Sequence, residues 1–238
     1  MIKVYGTNTV YEAILNNRVS QIYLLKGYND KKTLDLIEKY HIRTSFLDRK
    51  SLDNLTNNSN HHGIVAVAKE INPVDLNSLI KKLDSVQFPT ILILDGLKDP
   101  HNLGAIIRSA DLFNASGIIY KKRDSVSINE TVEKVSTGAI NYVPLCEVNN
   151  LTKAIEELKK HDYWVIGFEG EAKDTIETIP LDRKLVIVIG SEGEGISRLV
   201  KEHCDFLLKI PMAGHGHINS LNASNAAAIV LYEIFKKR

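Results

Sequence analysis

A chain of 238 residues with 30 lysines and arginines against 29 aspartates and glutamates, net charge +1, is long enough for one large domain or two modest ones. That near-neutral balance excludes a protein that holds nucleic acid by bulk charge alone, and an apolar share of 44% without low-complexity runs excludes a disordered chain. No apolar run reaches bilayer length, the N-terminal MIKVYGTNTVYEAI lacks the form of a secretory leader, and Cys146 and Cys204 stand apart, so a cytoplasmic protein with reduced thiols is expected.

The charge is unevenly spread. Residues 1–86 hold 12 basic against 9 acidic side chains, and residues 87–238 hold 18 against 20. Such an excess suits contact with a polyanion and equally suits a solvated surface. Along the front segment, Thr9-x-x-Glu12 has the form of a capping box ahead of a helix. QIYLL then reads as a strand, KKTLDLIEKYH as an amphipathic helix, and RTSFL and GIVAVAKE as two further strands. Pro73 and Pro89 bracket a connecting helix, which places a small α/β domain at 1–72, a linker at 73–88 and a second domain at 89–238.

The second segment alternates TILILDGL, a helix from about Asn102, GIIY, a helix near Asn129–Gly138, YVPLCEV, a helix at 151–161, WVIGF, LVIVIG, a helix from Gly195, FLLKIP and a terminal helix. Strands that are continuously apolar and separated by helices predict a mostly parallel sheet covered on both faces. In such sheets ligands sit beyond the carboxyl ends of the strands, which selects three loops.

The first is LDGLKDPHNLGAIIRSADLFNA, turning at Asp99-Pro100. Asn102 reads as a helix N-cap. Arg108 lies among AII and SADLF on a helix expected to pack on the sheet, where a buried guanidinium requires a fixed anion. Asp111 three residues on and a bound phosphate are both open as that anion. The second loop, LVIVIGSEGEGISRLV, is glycine-rich, but Glu192 and Glu194 would repel phosphate and the Walker pattern is missing. A neutral or cationic ligand with hydroxyl groups fits better. In the third, IPMAGHGHINSLNASNAAAIVLYE, Pro211 closes a strand, Ser220 or Asn222 caps the next helix, and the small residues of NAAAIVL allow another backbone to pack closely. His215 and His217 raise the possibility of a metal, yet no third ligand is in evidence, so solvated loop histidines are the simpler account and no metal is expected.

Together NLGAIIRSADLFNASGI, VIGSEGEGIS and IPMAGHGHINSLNASNAAAIVLYE resemble, in this order, the three signature motifs of the SpoU (TrmH-type) RNA ribose 2′-O-methyltransferases of the SPOUT superfamily, over about residues 89–236. The front segment, from VYGTNTVYEAI to HHGIVAVA, is similar to the family's L30e-like RNA-binding extension. That pairing resembles the RlmB-type members, which methylate a guanosine ribose of large-subunit (23S) ribosomal RNA. The resemblance implies a C-terminal α/β domain tied in a trefoil knot, S-adenosylmethionine as cofactor, RNA as partner and a homodimer with sites at the subunit interface. Matched by motif, Asn102, Arg108, Glu192, Ser220 and Asn222 would be the catalytic set. Thr137, Gly138, Gly190, Gly193, Ile210, Met212 and Leu221 would contact the cofactor. Two departures are visible: AGHGHIN is longer than the family pattern, and Asn225 stands where valine is common.

In this reaction a methyl group passes from a sulfonium to a ribose hydroxyl by in-line attack, so catalysis is alignment plus removal of one proton. A guanidinium is a poor base. Arg108 is therefore expected to clamp the phosphate beside the target ribose and stabilise the developing alkoxide, with Asn102 and Ser220 orienting it. Lys3, Arg18, Lys26, Lys31 and Lys32 are expected contacts for RNA phosphates. Three rival readings bear on the same residues. A transfer-RNA guanosine methyltransferase and a non-catalytic RNA-binding assembly factor share these motifs, whereas a nicotinamide oxidoreductase fails because no G-x-G-x-x-G follows an early strand.

Overall fold

The computed structural model describes residues 1–213 and 220–238. His215, His217 and all of AGHGHIN except Ala213 therefore lie outside the described residues. The chain forms two compact units, Met1–Asn72 with Ile128–Tyr142, and Pro73–Ser127 with Val143–Arg238.

In the first unit the order is β1 (Ile2–Tyr5), α1 (Thr7–Leu15), β2 (Val19–Leu25), α2 (Lys31–Lys39), β3 (Arg43–Leu47), α3 (Arg49–Leu55) and β4 (Ile64–Ala68). The sheet order is β1-β4-β2-β3; β4 runs antiparallel to both neighbours, and β2 and β3 are parallel. Alternation along β4 builds two cores. Ile64, Ala66 and Ala68 join Val10, Ala13, Ile14 and Ile37 of α1 and α2, while Val65 turns to the other face with Tyr5 and Leu52 of α3. The expected capping box is absent. Helix α1 starts at Thr7 behind Gly6, whose φ is 90°, with no side-chain cap, and Thr9 lies buried inside the helix.

The second unit runs α4 (Leu76–Leu83), β5 (Thr90–Asp95), α5 (Pro100–Leu112) and β6 (Gly117–Lys121). The chain then passes to the first unit for α6 (Glu130–Val135), and returns for β7 (Leu145–Val148), α7 (Leu151–Lys160), β8 (Trp164–Phe168), β9 (Asp174–Thr175), β10 (Leu185–Gly190), α8 (Arg198–Glu202), β11 (Phe206–Lys209) and α9 (Ala223–Lys236). Among the described residues the strands form a seven-stranded sheet, β7-β6-β5-β10-β8-β11-β9, with parallel pairings throughout. All six residues of β5 are buried, which is what a continuous apolar run means in a sheet covered twice. Helices α4, α7 and α8 cover one face through Leu79, Ile80, Leu83, Ile155, Leu158 and Val200. Helices α5 and α9 pack on each other with Leu103, Ile106, Ile107, Ala227, Val230 and Leu231 buried.

Two boundaries differ from the sequence reading. The stretch 73–88 is not a free linker: Val74 bridges Cys146 at the sheet edge, and α4 buries its apolar side in the second unit's core. Nor is 89–238 one uninterrupted body, because 128–142 is built into the first unit. One buried and one exposed contact account for that. Arg18, expected to meet RNA, is instead buried against Glu133 of α6, and Tyr142 Oη donates to Glu12 Oε2 at 2.5 Å.

Candidate functional site

The site is assembled at the carboxyl ends of β5, β8, β10 and β11. Strand β10 delivers the chain into Ser191–Gly195, a turn closed by Ser191 and Gly195 exchanging both backbone hydrogen bonds at 3.1 Å. Gly190 makes this closure possible, since a Cβ there would collide with the backbone of Gly195 and Ile196. At the end of β5, the buried Asp95 accepts from Ser197 N at 2.8 Å and so ties the far side of the same turn.

Glu192 then stands between two helix starts. Its Oε1 accepts from Asn102 Nδ2 at 2.7 Å and from Asn222 Nδ2 at 2.6 Å, and Asn222 Nδ2 also reaches Asn102 Oδ1 at 3.0 Å. The three motif residues thus form one hydrogen-bonded cluster from loops 30 to 120 positions apart in the chain. Asn222 does this while capping α9, its Oδ1 accepting from Ser224 N at 2.9 Å. Asn102 does not cap α5. Asp99 fills that role ahead of Pro100, which leaves the buried Asn102 amide free for Glu192. No lysine or arginine pairs with Glu192 among the described residues, so its two amide partners orient the carboxylate without neutralising it.

Beside the cluster opens a pocket of about 680 Å³, continuous with solvent. Gly190, Glu192, Ile210, Met212, Ser220 and Leu221 line it, and Ala223 and Ala226 at the start of α9 supply a floor of small side chains. Gly193 sits at the tip of the adjoining turn, outside the lining. Phe168, Glu169 and Gly170 also line the pocket, from the end of β8, and the sequence reading missed them. The signal was available: the rule that ligands gather at strand ends applies to WVIGFEGEA as much as to the three loops chosen. Glu169 is already ion-paired with Lys201 of α8.

Three expected residues are elsewhere. Thr137 and Gly138 adopt left-handed backbone in the first unit, and a Cβ on Gly138 would lie 2.6 Å from Glu12 Cβ; they pack on α1 and do not line the pocket. Arg108 is exposed rather than buried and has no ion-pair partner among the described residues. Six residues of helix separate it from Asn102, a rotation of about 600°, so the two side chains leave α5 roughly 120° apart. It shares a face with Leu112, four residues on. Among the described residues no group of three His, Cys, Asp or Glu side chains is placed to hold a metal, and no helix is long and apolar enough to cross a membrane.

A mostly parallel α/β sheet with an acid-bearing, partly apolar pocket at its strand ends defines a binder of a small polar or cationic organic molecule. Comparison with known proteins makes this specific. Residues 89–232 match the SpoU rRNA methylase family, and residues 3–74 match the RNA 2′-O ribose methyltransferase substrate-binding domain. The chain is 42% identical over 242 residues to a protein of Staphylococcus haemolyticus described as a TrmH family tRNA/rRNA methyltransferase, covering 100% of this chain and 96% of the relative. To YacO of Bacillus subtilis, given the same family description, it is 40% identical, covering 99% and 95%. The crystal structure of the SpoU methyltransferase AviRb from Streptomyces viridochromogenes in complex with AdoMet superposes with a TM-score of 0.83 at 22% identity, covering 99% of this chain and 89% of that one. The chain belongs to the SpoU (TrmH) family of RNA methyltransferases.

Proposed function

We propose that this protein, in the cytosol, uses S-adenosylmethionine to methylate a ribose 2′-hydroxyl of RNA, the target being a guanosine of large-subunit ribosomal RNA. The observation that carries the reading is the convergence of Asn102, Glu192 and Asn222 beside a pocket lined by Ile210, Met212 and Leu221. Bound there, the cofactor would supply an activated methyl group on a positively charged sulfur. The un-neutralised Glu192 and the apolar walls suit that charge and its hydrocarbon neighbours, and the main-chain groups around Gly190 suit recognition of an adenine. Ser220, exposed at the pocket, would orient the hydroxyl that attacks.

The site is completed by a second copy of the chain. Leu112, Ile229, Tyr232 and Phe235 are exposed on α5 and α9, with the Phe113 ring 5.7 Å from that of Tyr232 and 6.1 Å from that of Phe235. An apolar patch of this composition is the mark of an interface, and Arg108 borders it on the same side of α5 as Leu112. Homodimerisation there sets Arg108 at the seam, where it clamps the RNA phosphate beside the ribose. The knot that the family resemblance implies belongs to the same proposal. So does the use of Lys26, Lys31 and Lys32, all exposed on the first unit, as phosphate contacts.

Gly190→Ala should lower S-adenosylmethionine affinity at least about tenfold by calorimetry, because the added methyl forces the Ser191–Gly195 turn away from the pocket. Unchanged affinity would detach the pocket from the cofactor. The decisive experiment maps ribose methylation across total RNA of cells with and without the protein. Loss of one methyl group at a large-subunit guanosine is expected. Loss confined to transfer RNA would redirect the substrate, and no loss together with no heat of cofactor binding would leave an assembly factor.

A further inference from the structure

At the carboxyl end of the second unit's sheet, two loops on neighbouring strands take no part in the site described above: residues 96–99 after β5 and residues 122–127 after β6. They are bound to each other. Val126 N and Ser125 Oγ both donate to Leu97 O, at 2.8 and 3.2 Å, and Leu97 and Val126 are themselves buried. Lys122 N donates to Val148 O at 3.0 Å, which ties the far side to the end of β7. The near side abuts the site, since a Cβ on Gly96 would stand 3.3 Å from Ser191 Cβ. The two loops thus make one fixed ledge contiguous with the Ser191–Gly195 turn.

The ledge is the place where cations of this unit stand free. Lys98, Lys122 and Arg123 are exposed and Lys121 is half-buried, and none of the four has an ion-pair partner among the described residues. Elsewhere in the unit Lys159 is paired with Asp205, Arg198 with Glu202 and Lys201 with Glu169. The neighbouring acids are largely engaged: Asp99 caps α5 by accepting from His101 N at 2.9 Å, and Glu147 accepts from the Tyr120 hydroxyl at 3.3 Å. Asp124 offsets one of the four charges. Residues 87–238 carry more acidic than basic side chains, so this concentration of unpaired positive charge runs against the unit's own balance. A cation already paired gives little to a polyanion, whereas a free one releases the counterion of each phosphate it meets.

We infer that this ledge is a phosphate track for the RNA beside the methylation site. Lys98, on the loop that abuts the site turn, holds a phosphate close to the target, and Lys122 and Arg123 hold those farther along. Contacts of this kind fix where a strand lies and do not read its bases. The inference rests on the RNA-methyltransferase reading and adds to it the surface of the second unit along which the strand is held.

The test uses the full chain and two fluorescent RNA hairpins of unrelated sequence, with binding measured over a range of salt concentrations. Lys98→Gln, Lys122→Gln and Arg123→Gln combined should lower the slope of log affinity against log salt by about 2–3, because each phosphate contact contributes about 0.7–0.9. Both hairpins should be weakened alike. Lys81→Gln, Lys82→Gln and Lys153→Gln combined remove the same charge from exposed positions on α4 and α7, and should change the slope by less than about 1. Thermal unfolding checks that each variant is folded, and calorimetry should find S-adenosylmethionine affinity within about twofold of wild type, as no residue of the triple variant lines the pocket. An unchanged slope in the ledge variant, an equal loss in the α4 and α7 variant, weakening of one hairpin alone, or a wild-type chain that binds neither hairpin would overturn the track, and a wild-type chain that still methylates RNA would leave the enzyme standing. A wild-type chain that shows the predicted slopes but neither binds S-adenosylmethionine nor transfers a methyl group would retain the track and overturn the enzyme.

Discussion

Arg108→Lys is expected to lower kcat for methyl transfer by about 100-fold or more while leaving S-adenosylmethionine affinity within about twofold. Arg108 does not line the pocket and leaves α5 away from Asn102, so cofactor binding has no reason to change. A guanidinium grips a phosphate with two parallel hydrogen bonds, and an ammonium cannot reproduce that fork. Losing one preorganised donor at a developing oxyanion costs about 10²–10³ in rate. Since the same side of α5 carries the exposed Leu112, the arrangement makes a sharper statement about which chain supplies the arginine. If Arg108 serves the pocket of the partner subunit, mixing inactive Arg108→Ala and inactive Glu192→Ala chains restores about one quarter of wild-type activity. Random pairing makes half of the dimers mixed, and each mixed dimer rebuilds one of its two sites. If Arg108 serves its own pocket, every site stays broken. Mixtures with no activity would refute the shared site, and near-normal turnover by Arg108→Lys would refute the bidentate clamp.

Why some of this was legible in the sequence and some was not follows from the range of each signal. Continuous apolar runs such as TILILD and LVIVIG carry the strand assignment within themselves, because burial on both faces leaves no alternation to mistake. The site loops were legible because strand ends are where ligands gather, and Asn102, Glu192 and Asn222 do meet there. The rule was applied to three of the four strand ends that matter, which is how Phe168, Glu169 and Gly170 escaped. Arg108 was misplaced for a different reason. Its neighbours along the chain are apolar, but a helix sorts residues by rotation, and Ile106, Ile107 and Ala110 are buried on the side that Arg108 does not share. Asn102 shows a third kind of failure, in which two polar residues compete for one role. Asp99 capped the helix, and only the fold reveals which of the two was left free. Arg18 and Glu133 stand 115 positions apart, and no local pattern announces that they will meet.

That last pair carries the largest expected effect on stability. Glu133→Ala should destabilise the first unit by about 3–5 kcal/mol, the cost of leaving one member of a buried ion pair alone. Both side chains are almost wholly buried. The guanidinium of Arg18 is fully engaged: Nε and Nη2 donate to Lys69 O at 2.9 and 2.7 Å, Nη1 donates to Asn141 Oδ1 at 2.7 Å, and Nη1 and Nη2 face the two Glu133 oxygens. With the carboxylate gone, a cation remains where water cannot hydrate it. Deletion of residues 1–72 would strip 128–142 of the rest of its unit, and is a poor way to ask what the first unit contributes to RNA binding. Replacing both partners, Arg18→Met with Glu133→Leu, should recover most of the lost stability, because the desolvation of two charges is then no longer required. Amide exchange of β1 and β4, read by mass spectrometry, follows the opening of the first unit separately from the second. The deficit of the single variant should also change little between low and high salt, as screening barely reaches a buried pair. A loss below about 1 kcal/mol for Glu133→Ala, the level of an exposed pair, would mean that the pair is solvated in solution and that α6 is held to the first unit by its other contacts alone.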